Sequence, residues 1–231
     1  MISIIVLTHN RLESLKRCIK SIRENTVVPY EIVVVDNASS DGTKEWLIEQ
    51  EEVEYTLSGP SEKSKFKAIL NPTNEGVIAR NKGFAVSSGE IIAQIDDDVT
   101  VHKNWDIIAL HEFEDEKVGM CGVQGGLIRT WMDYEVFQSN NGYVDFLTGF
   151  FMCFRNVGLV FDEKLGAFWE EDSDLSFQFK YNGYKLRTIP MVCTHVSLRN
   201  TPINWDLHNG NRQYVKNKWA DKLEKLRLGG N

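Results

Sequence analysis

Short apolar runs alternate with amphipathic stretches through the first hundred residues of the chain. Asn10 stands three residues before Glu13, the spacing of a capping box, which predicts a helix with Asn10 as its N-cap, and leucine and isoleucine follow at helical intervals. Further helices are predicted around Lys44–Gln50 and Val77–Val86. The apolar runs themselves predict strands buried on both faces at Met1–Leu7, Glu31–Val35, Lys67–Leu70 and Ile91–Ile95. This alternation is typical of an α/β fold with a mostly parallel central sheet and helices on both faces.

The second half of the chain has a less regular pattern. Helices are predicted at His102–Phe113 and Asp174–Tyr181, and strands at Gly122–Ile128, Phe150–Phe154 and Lys185–Val192. The polar stretch Ser58–Lys65 predicts an exposed loop.

The tail Asn211–Leu228 predicts an amphipathic helix. We expect its apolar stripe to dock on the domain, and contact with an anionic membrane surface is the alternative. The stripe consists of Val215, Trp219, Leu223 and Leu226.

Composition narrows the classes of protein. The 231 residues include 42% hydrophobic and 26% charged residues, which is ordinary for a globular domain with a substantial core. The net charge of −7 argues against nonspecific nucleic-acid binding, and a phosphate-rich ligand would need a cation beside it. The 4 cysteines form no CxxC pair and predict reduced, buried thiols in a reducing, cytoplasmic compartment. No apolar run approaches the roughly 20 residues that cross a bilayer.

Polar side chains follow three of the predicted strands, at His9, Asp36 and Asp96–Asp98. The carboxyl ends of parallel strands share one edge of a sheet, where α/β proteins bind ligands. Consecutive carboxylates repel one another, so Asp96–Asp98 predicts a hard cation such as Mg²⁺ or Mn²⁺, with a solvated acidic turn as the alternative. Asp36 would either accept hydrogen bonds from a nucleoside or cap the turn through Asn37 and Ser39.

A second acidic cluster spans Glu170–Asp174 beside Phe168 and Trp169. Its position at the start of a helix is explained by the helix dipole alone, and the alternative is a general base beside an aromatic platform. The helix N-terminus is expected to keep Asp172 ionised at neutral pH. His195 follows the predicted strand Lys185–Val192 and is either a structural residue or a ligand. The chain has no P-loop and no GxGxxG, so phosphate binding would use a metal, Arg80 or helix ends.

Several motifs, in order over residues 2 to 198, resemble those of glycosyltransferase family 2. The main motifs are Ile4–Arg11, Val33–Thr43, Asn74–Gly76 with Ala79–Gly83, Ile95–Asp98 and Glu171–Leu175. Phe161–Glu163 and Asn182–Tyr184 also fit, and Thr194–Ser197 resembles a late histidine motif of the rhamnosyltransferase-like branch.

This resemblance implies a GT-A fold over residues 1–203, with a nucleotide-sugar-binding half (1–100), an acceptor half (101–203) and a C-terminal amphipathic helix (204–231). It implies an inverting hexosyl- or deoxyhexosyltransferase of polysaccharide biosynthesis, which uses Mn²⁺ or Mg²⁺. The sugar would pass from a UDP-, dTDP- or GDP-linked donor to a saccharide, lipid-linked or other hydroxyl acceptor. The enzyme would be cytoplasmic or peripheral at the inner face of the membrane.

The same resemblance implies roles for individual residues. Asp172 would be the catalytic base, Asp98 and His195 would bind the metal, and Trp169 and Glu171 would lie near the acceptor. Within the nucleotide-sugar site, Asp36 would hold the nucleobase and Asp96 would face the ribose. The other residues of that site would be Thr8, His9, Asn10, Arg11, Asn74, Gly76, Arg80 and Asp97.

Three rival functions are open at this level. Asp96, Asp98 and Thr100 match a phosphatase signature of haloacid dehalogenase-like enzymes, although no GD dipeptide follows. A nucleotidyltransferase would carry a glycine- and lysine-rich loop after the first strand, which is absent. A catalytically inactive carbohydrate-binding homologue would have damaged acidic motifs.

The chain departs from the family's pattern at two places. Glu51–Lys65 is longer and more charged than the family's usual connection. No RW follows Gln178, and its absence argues against processive synthesis.

Overall fold

The computed structural model describes residues 1–58, 66–130, 133–138, 142–165, 169–196, 204–222 and 226. Parts of several predicted features therefore lie outside the described residues: most of the loop Ser58–Lys65, the aromatic residue Phe168, Ser197 of the late histidine motif, and Leu223, Leu228 and other residues at the end of the tail helix.

Strands and helices alternate through the first half of the chain, as the pattern predicts. The strands are β1 (Ile2–Thr8), β2 (Tyr30–Asp36), β3 (Phe66–Leu70), β4 (Ile91–Asp96), β5 (Val99–Val101), β6 (Val118–Gly122), β7 (Gln124–Thr130), β8 (Asp133–Gln138), β9 (Tyr143–Val144), β10 (Phe146–Leu147), β11 (Phe151–Arg155), β12 (Lys185–Thr188) and β13 (Cys193–His195). The α-helices are α1 (Leu12–Asn25), α2 (Thr43–Ser58), α3 (Arg80–Ala85), α4 (Trp105–Glu112), α5 (Glu171–Tyr181) and α6 (Trp205–Trp219). Short 3₁₀ helices lie at Gly76–Ala79, Glu163–Leu165 and Ala220–Lys222.

The main sheet of the described residues has the strand order β3-β2-β1-β4-β11-β6-β12-β9. Strands β3, β2, β1 and β4 are parallel, whereas β11 runs antiparallel to both of its neighbours. The register places Thr8 beside Asp36 and Leu7 beside Asp96. The polar ends of these strands therefore meet at one edge of the sheet, as predicted.

Apolar side chains of the strands pack on both faces of the sheet, because successive residues of a strand point to opposite sides. Ile4 belongs to one buried cluster with Leu15 of α1. Ile5, the next residue, belongs to a second cluster with Phe84 of α3 and Phe179 of α5. Helices thus cover both faces, which confirms the predicted α/β class.

Helix α1 begins differently from the prediction. Asn10 has a positive φ of 52° and lies before the helix, and the N-cap residue is Arg11, whose side chain makes no capping hydrogen bond. The backbone N–H of Leu12 instead donates to Asp41 Oδ2 at 2.9 Å. The predicted capping box was wrong because a carboxylate from the loop after β2 takes its place.

Two strand predictions in the second half also need correction. The predicted strand Lys185–Val192 ends at Thr188, and β13 follows as a separate strand, paired antiparallel with β5. The predicted strand Gly122–Ile128 is divided between β6 and β7, which belong to different sheets. Strands β7 and β8 pair with each other, a contact between segments that no local pattern indicated.

The tail helix begins at Trp205, six residues before the amphipathic pattern at Asn211 and within the C-terminal segment 204–231 that the resemblance implied. Its apolar residues Val215 and Trp219 are buried, as is Leu226, in a cluster that includes Phe177 of α5. Docking of the stripe on the domain is therefore confirmed for these residues. In the described part of the chain, no helix combines the length and the apolar character needed to cross a bilayer.

Ion pairs of Lys218 connect α6 to the rest of the domain. Lys218 Nζ lies 2.7 Å from Asp162 Oδ2 and 2.8 Å from Asp174 Oδ1, and Asp174 is fully buried. Trp219 Nε1 donates to the same Asp174 at 2.7 Å. Burial alone would lower the pKa of Lys218, but hydrogen bonds to the two carboxylates outweigh burial and raise it.

Replacing Lys218 with methionine is expected to lower the free energy of unfolding by about 2 to 3 kcal/mol, because it leaves buried Asp174 without its cation. Urea unfolding at neutral pH measures this change. Lys216→Met, on the exposed side of the same helix, is the matched control and should stay within about 0.5 kcal/mol of the wild type. Equal stabilities of the two variants would show that the Lys218 ion pairs do not stabilise the fold.

Candidate active site

A cleft of about 1540 Å³ opens at the carboxyl edge of the parallel strands. Every residue that the sequence predicted for the site lines this cleft, with the exception of Asp36. The ends of β1 and β4, the start of α5 and the residues around β13 all contribute to it. Segments far apart in the sequence thus converge on one cavity.

Asp36 is buried at the end of β2, and its carboxylate accepts from the backbone N–H of Ser39 at 3.2 and 3.4 Å. This contact matches the turn-capping alternative. A nucleobase contact by Asp36 remains a prediction.

Asn37, the next residue, was not predicted for the site, yet it organises one wall. Its Nδ2 donates to Asn74 Oδ1 at 2.7 Å and to the carbonyl of Gly76 at 2.9 Å, and its Oδ1 accepts from the backbone N–H of Glu75. Its carbonyl also lies 2.8 Å from His9 Nδ1. Gly76 adopts a φ of 69°, which glycine accommodates without strain.

Asp96, Asp98 and His195 offer three ligand atoms that lie within 4.8 Å of one another. His195 Nε2 is 3.2 Å from Asp98 Oδ1. The antiparallel pairing of β13 with β5 brings His195 close to Asp98, and beyond the paired residues Val196 N donates to the carbonyl of Asp98 at 3.1 Å. Two carboxylates and one imidazole form a donor set that suits Mn²⁺ or Mg²⁺.

Asp97, between these two carboxylates, has different partners. Its Oδ2 accepts from the hydroxyl of Thr8 at 2.7 Å, and its Oδ1 accepts from Arg11 at 3.1 Å. Burial raises the pKa of Asp97 to about 6, although the hydrogen bond from Thr8 opposes this. Arg11 also donates to Asp98 Oδ2 at 3.1 Å, so one guanidinium compensates two of the acidic side chains.

Arg80 supplies a second buried cation. It is 6% exposed, and its guanidinium contacts the carboxylate of Asp96. Burial raises the pKa of Asp96, and the charge of Arg80 opposes that rise. In the part of the chain that the structure describes, Arg80 Nε is buried without a hydrogen-bond partner. Arg80 therefore keeps one N–H group that no acceptor among the described residues occupies.

Asp172 lies in the first turn of α5. Its Oδ2 accepts from the backbone N–H of Gly149 at 2.9 Å, and its Oδ1 accepts from that of Ser173 at 2.7 Å. Burial raises the pKa of Asp172 in spite of these N–H groups. Desolvation therefore outweighs the favourable hydrogen bonds. The expectation that the helix N-terminus keeps Asp172 ionised at neutral pH remains a prediction.

The turn before α5 has an unusual backbone. Trp169 and Glu170 both have positive φ, at 70° and 71°. Asn211 of α6, which is buried, donates to the carbonyl of Trp169 at 3.2 Å. The tail helix therefore supports the turn that leads to Asp172, a contact that the sequence did not indicate.

Gln94 and Gly149 are two further residues near Asp172 that were not predicted for the site. Gln94 Nε2 donates to the carbonyl of Gly149 at 2.6 Å, and Gly149 N donates to Asp172. Gln94 is 1% exposed, and a buried glutamine two residues before Asp96 was the available signal. Two hydrogen bonds of the Gly149 backbone thus link Gln94 of β4 to the candidate base Asp172.

Glu171 is expected to make stability depend on pH. Burial, together with the charge of Asp172, raises the pKa of Glu171 from 4.5 to about 8. The folded state therefore holds this proton more tightly than the unfolded state, and the associated stability is lost as pH rises from about 4.5 to about 8. Glu171→Gln should show a smaller fall in Tm between pH 5 and pH 9, in EDTA, than the wild type. Glu163→Gln, an exposed change, should follow the wild type, and parallel curves for Glu171→Gln would contradict the shift.

Comparison with solved structures identifies the class of fold. The structure matches GalNAc-T7 with UDP, GalNAc and Mn²⁺ at a TM-score of 0.74 and 17% identity, over 97% of this chain and 49% of that one. It matches a mannosyltransferase from Pyrobaculum calidifontis in complex with GDP-Man and Mn²⁺ at a TM-score of 0.65 and 22% identity, over 86% and 58% of the two chains. The fold is the GT-A fold that the motifs implied.

The sequence comparisons agree with this fold. The family model for glycosyl transferase family 2 matches residues 3–207, and the chain belongs to that family. Glycosyltransferase AglE of Haloferax volcanii is 32% identical over 107 residues, which are 45% of this chain and 32% of AglE. A glucosyl-dolichyl phosphate glucuronosyltransferase of the same organism is 26% identical over 57% of this chain and 39% of its own length. The matches thus span about a third of these relatives.

Proposed function

We propose that the chain is an inverting, metal-dependent glycosyltransferase that moves a sugar from a nucleotide-diphosphate donor to an acceptor hydroxyl. The observation that carries this proposal is the convergence of two groups in one cleft. The candidate base Asp172 faces the same cavity as Asp96, Asp98 and His195. Membership of glycosyl transferase family 2 supports the reaction class.

The nucleotide-sugar side of the cleft has to compensate a diphosphate. Asp96, Asp98 and His195 would hold Mn²⁺ or Mg²⁺, which when bound neutralises charge on the leaving diphosphate. Arg80 would offer its buried guanidinium to a phosphate oxygen, a contact for which its Nε lacks a competing partner among the described residues. The cations of the site resolve the conflict between an acidic chain and an anionic substrate.

The acceptor side depends on α5. Asp172 would take the proton of the acceptor hydroxyl as that oxygen attacks the anomeric carbon and the bond to the diphosphate breaks. One displacement from the opposite face inverts the anomeric configuration. Trp169 would present an aromatic surface to the acceptor, and Glu171 would lie beside it.

Finer assignments extend this proposal. We assign residues 1–100 to the nucleotide-sugar half and 101–203 to the acceptor half. A hexosyl or deoxyhexosyl donor, a rhamnosyltransferase-like specificity and a role in polysaccharide synthesis remain hypotheses that rest on sequence motifs. Peripheral contact with a membrane would have to use the polar face of α6, because the apolar residues Val215 and Trp219 are buried.

A thermal-shift panel tests the proposal. The protein is mixed with UDP-glucose, UDP-N-acetylglucosamine, dTDP-rhamnose or GDP-mannose, each with Mn²⁺ or with EDTA. We expect at least one of these compounds to raise Tm in Mn²⁺ only, and that compound to be hydrolysed slowly to its nucleoside diphosphate. Absence of any Mn²⁺-dependent shift would contradict the proposal. Release of pyrophosphate from a nucleoside triphosphate and a sugar 1-phosphate would instead favour a nucleotidyltransferase, and release of inorganic phosphate from a phosphomonoester would favour a phosphatase.

A further inference from the structure

Phe150 lies on the wall of the cleft, directly before β11, and its ring stacks on the imidazole of His195. The ring centroids are 4.5 Å apart and the two planes differ by 13°. In the sequence pattern, Phe150 is only the first residue of a predicted strand. A nearly parallel aromatic neighbour defines the plane in which an imidazole can lie.

The backbone of the same residue contacts a second member of the group. The carbonyl of Phe150 accepts from the backbone N–H of Asp96 at 2.9 Å, just where β4 ends. Phe150 therefore touches both Asp96, through its main chain, and His195, through its ring. Asp98, the third member, is linked to β13 through Val196.

The stack on Phe150 restricts the orientation of the His195 ring. Pairing of β13 with β5 holds the backbone of His195 opposite Val99. Backbone pairing does not determine the second side-chain torsion of a histidine, which has a broad and shallow preference. The stack against Phe150 restricts this torsion in an orientation where Nε2 lies 3.2 Å from Asp98 Oδ1.

We propose that Phe150 is a positioning residue for the divalent-metal group: its ring holds the His195 imidazole in the plane that directs Nε2 toward Asp98. This inference rests on the proposed function, because it requires Asp96, Asp98 and His195 to bind the metal. It assigns no contact between Phe150 and the metal. A correctly oriented ligand avoids the loss of affinity that a freely rotating imidazole would cause.

Mn²⁺ binding by the protein alone tests the inference without knowledge of the substrate. Electron paramagnetic resonance at neutral pH gives the dissociation constant from free Mn²⁺. Phe150→Leu keeps an apolar side chain but removes the flat ring, and we expect Mn²⁺ affinity to fall roughly five- to tenfold. Phe150→Tyr keeps the ring and should bind Mn²⁺ within about twofold of the wild type. Wild-type affinity in Phe150→Leu, or equal losses in both variants, would overturn the inference.

A second measurement observes the wild-type protein and uses a variant only to assign one signal. Protons of an imidazole stacked on a phenyl ring resonate upfield of their usual positions. In a histidine-selective NMR spectrum, with the signal assigned by its absence in His195→Gln, we expect His195 to show this displacement. An ordinary His195 shift would contradict the stacked arrangement. If the wild type and Asp98→Ala bound Mn²⁺ equally, the proposed metal site itself would be refuted, which is a separate outcome.

Discussion

Asp172→Asn is expected to lower the rate of sugar transfer by roughly two to four powers of ten, the usual contribution of a general base. An amide cannot take the proton of the attacking hydroxyl. The carboxylate also accepts from Gly149 N at 2.9 Å and Ser173 N at 2.7 Å, and an amide nitrogen in place of one oxygen would face an N–H group. The rate is measured as release of nucleoside diphosphate with whichever donor passes the thermal-shift panel.

Nucleotide-sugar affinity provides the necessary check on this variant. Asp172→Asn should retain Mn²⁺-dependent binding of the nucleotide sugar within a few-fold, since the metal group does not include Asp172. Asp221→Asn, an exposed aspartate that does not line the cleft, is the matched control and should turn over normally. Turnover above about a tenth of the wild-type rate in Asp172→Asn would exclude this residue as the base.

The same residue is expected to shape the pH profile. A base must be deprotonated to act, and burial raises the pKa of Asp172 above its usual range. Transfer should therefore increase as pH rises through this raised pKa, so that the acidic limb lies at higher pH than for an exposed aspartate. Asp172→Asn should lack this limb in its residual activity.

Asp98→Asn is expected to weaken Mn²⁺ binding by roughly a hundredfold or more, because changes in groups that merely orient a ligand already cost about 10- to 100-fold. Asp98 supplies a carboxylate that lies 3.2 Å from His195 Nε2 and 3.1 Å from Arg11. Calorimetry with Mn²⁺ alone measures the effect, and a thermal unfolding curve without metal verifies the fold. Nucleotide-sugar binding in Asp98→Asn should lose its dependence on Mn²⁺.

The neighbouring carboxylate provides a demanding control for this prediction. Asp97 stands between Asp96 and Asp98 in the sequence, but its oxygens accept hydrogen bonds from Thr8 at 2.7 Å and Arg11 at 3.1 Å. Asp97→Asn should therefore lower stability while Mn²⁺ affinity stays within a few-fold of the wild type. Equal loss of Mn²⁺ affinity in Asp97→Asn and Asp98→Asn would show that the acidic run binds cations as a whole rather than through Asp96 and Asp98.

Local sequence pattern was sufficient for the parallel half of the fold. The runs at β1, β2, β3 and β4 are apolar because both faces of these strands are buried, and burial on both faces leaves a continuous signal in sequence. Strand direction then places Asp36 and Asp96 at the same edge as Thr8, without any knowledge of side-chain contacts. The position of the cleft could be predicted from this edge alone.

Contacts between distant segments decided the rest. His195 reaches Asp98 because β13 pairs with β5, and Gly149 reaches Asp172 across 23 positions of sequence. Helix α6 supports the turn at Trp169 through Asn211. None of these contacts has a periodic signature, since each depends on how separate elements pack.

The sequence by itself determined the α/β class, the carboxyl edge that carries the cleft, and the acidic residues gathered there, because each follows from burial patterns and strand direction. Only the tertiary structure decided which of those acids share a partner. Asp97 accepts a hydrogen bond from Thr8, whereas Asp96 and Asp98 lie close to His195. Burial has a larger effect on the pKa of Asp172 than the hydrogen bonds at the helix N-terminus. The physical reason is that side-chain partners and desolvation depend on three-dimensional packing, which adjacent letters of a sequence do not encode.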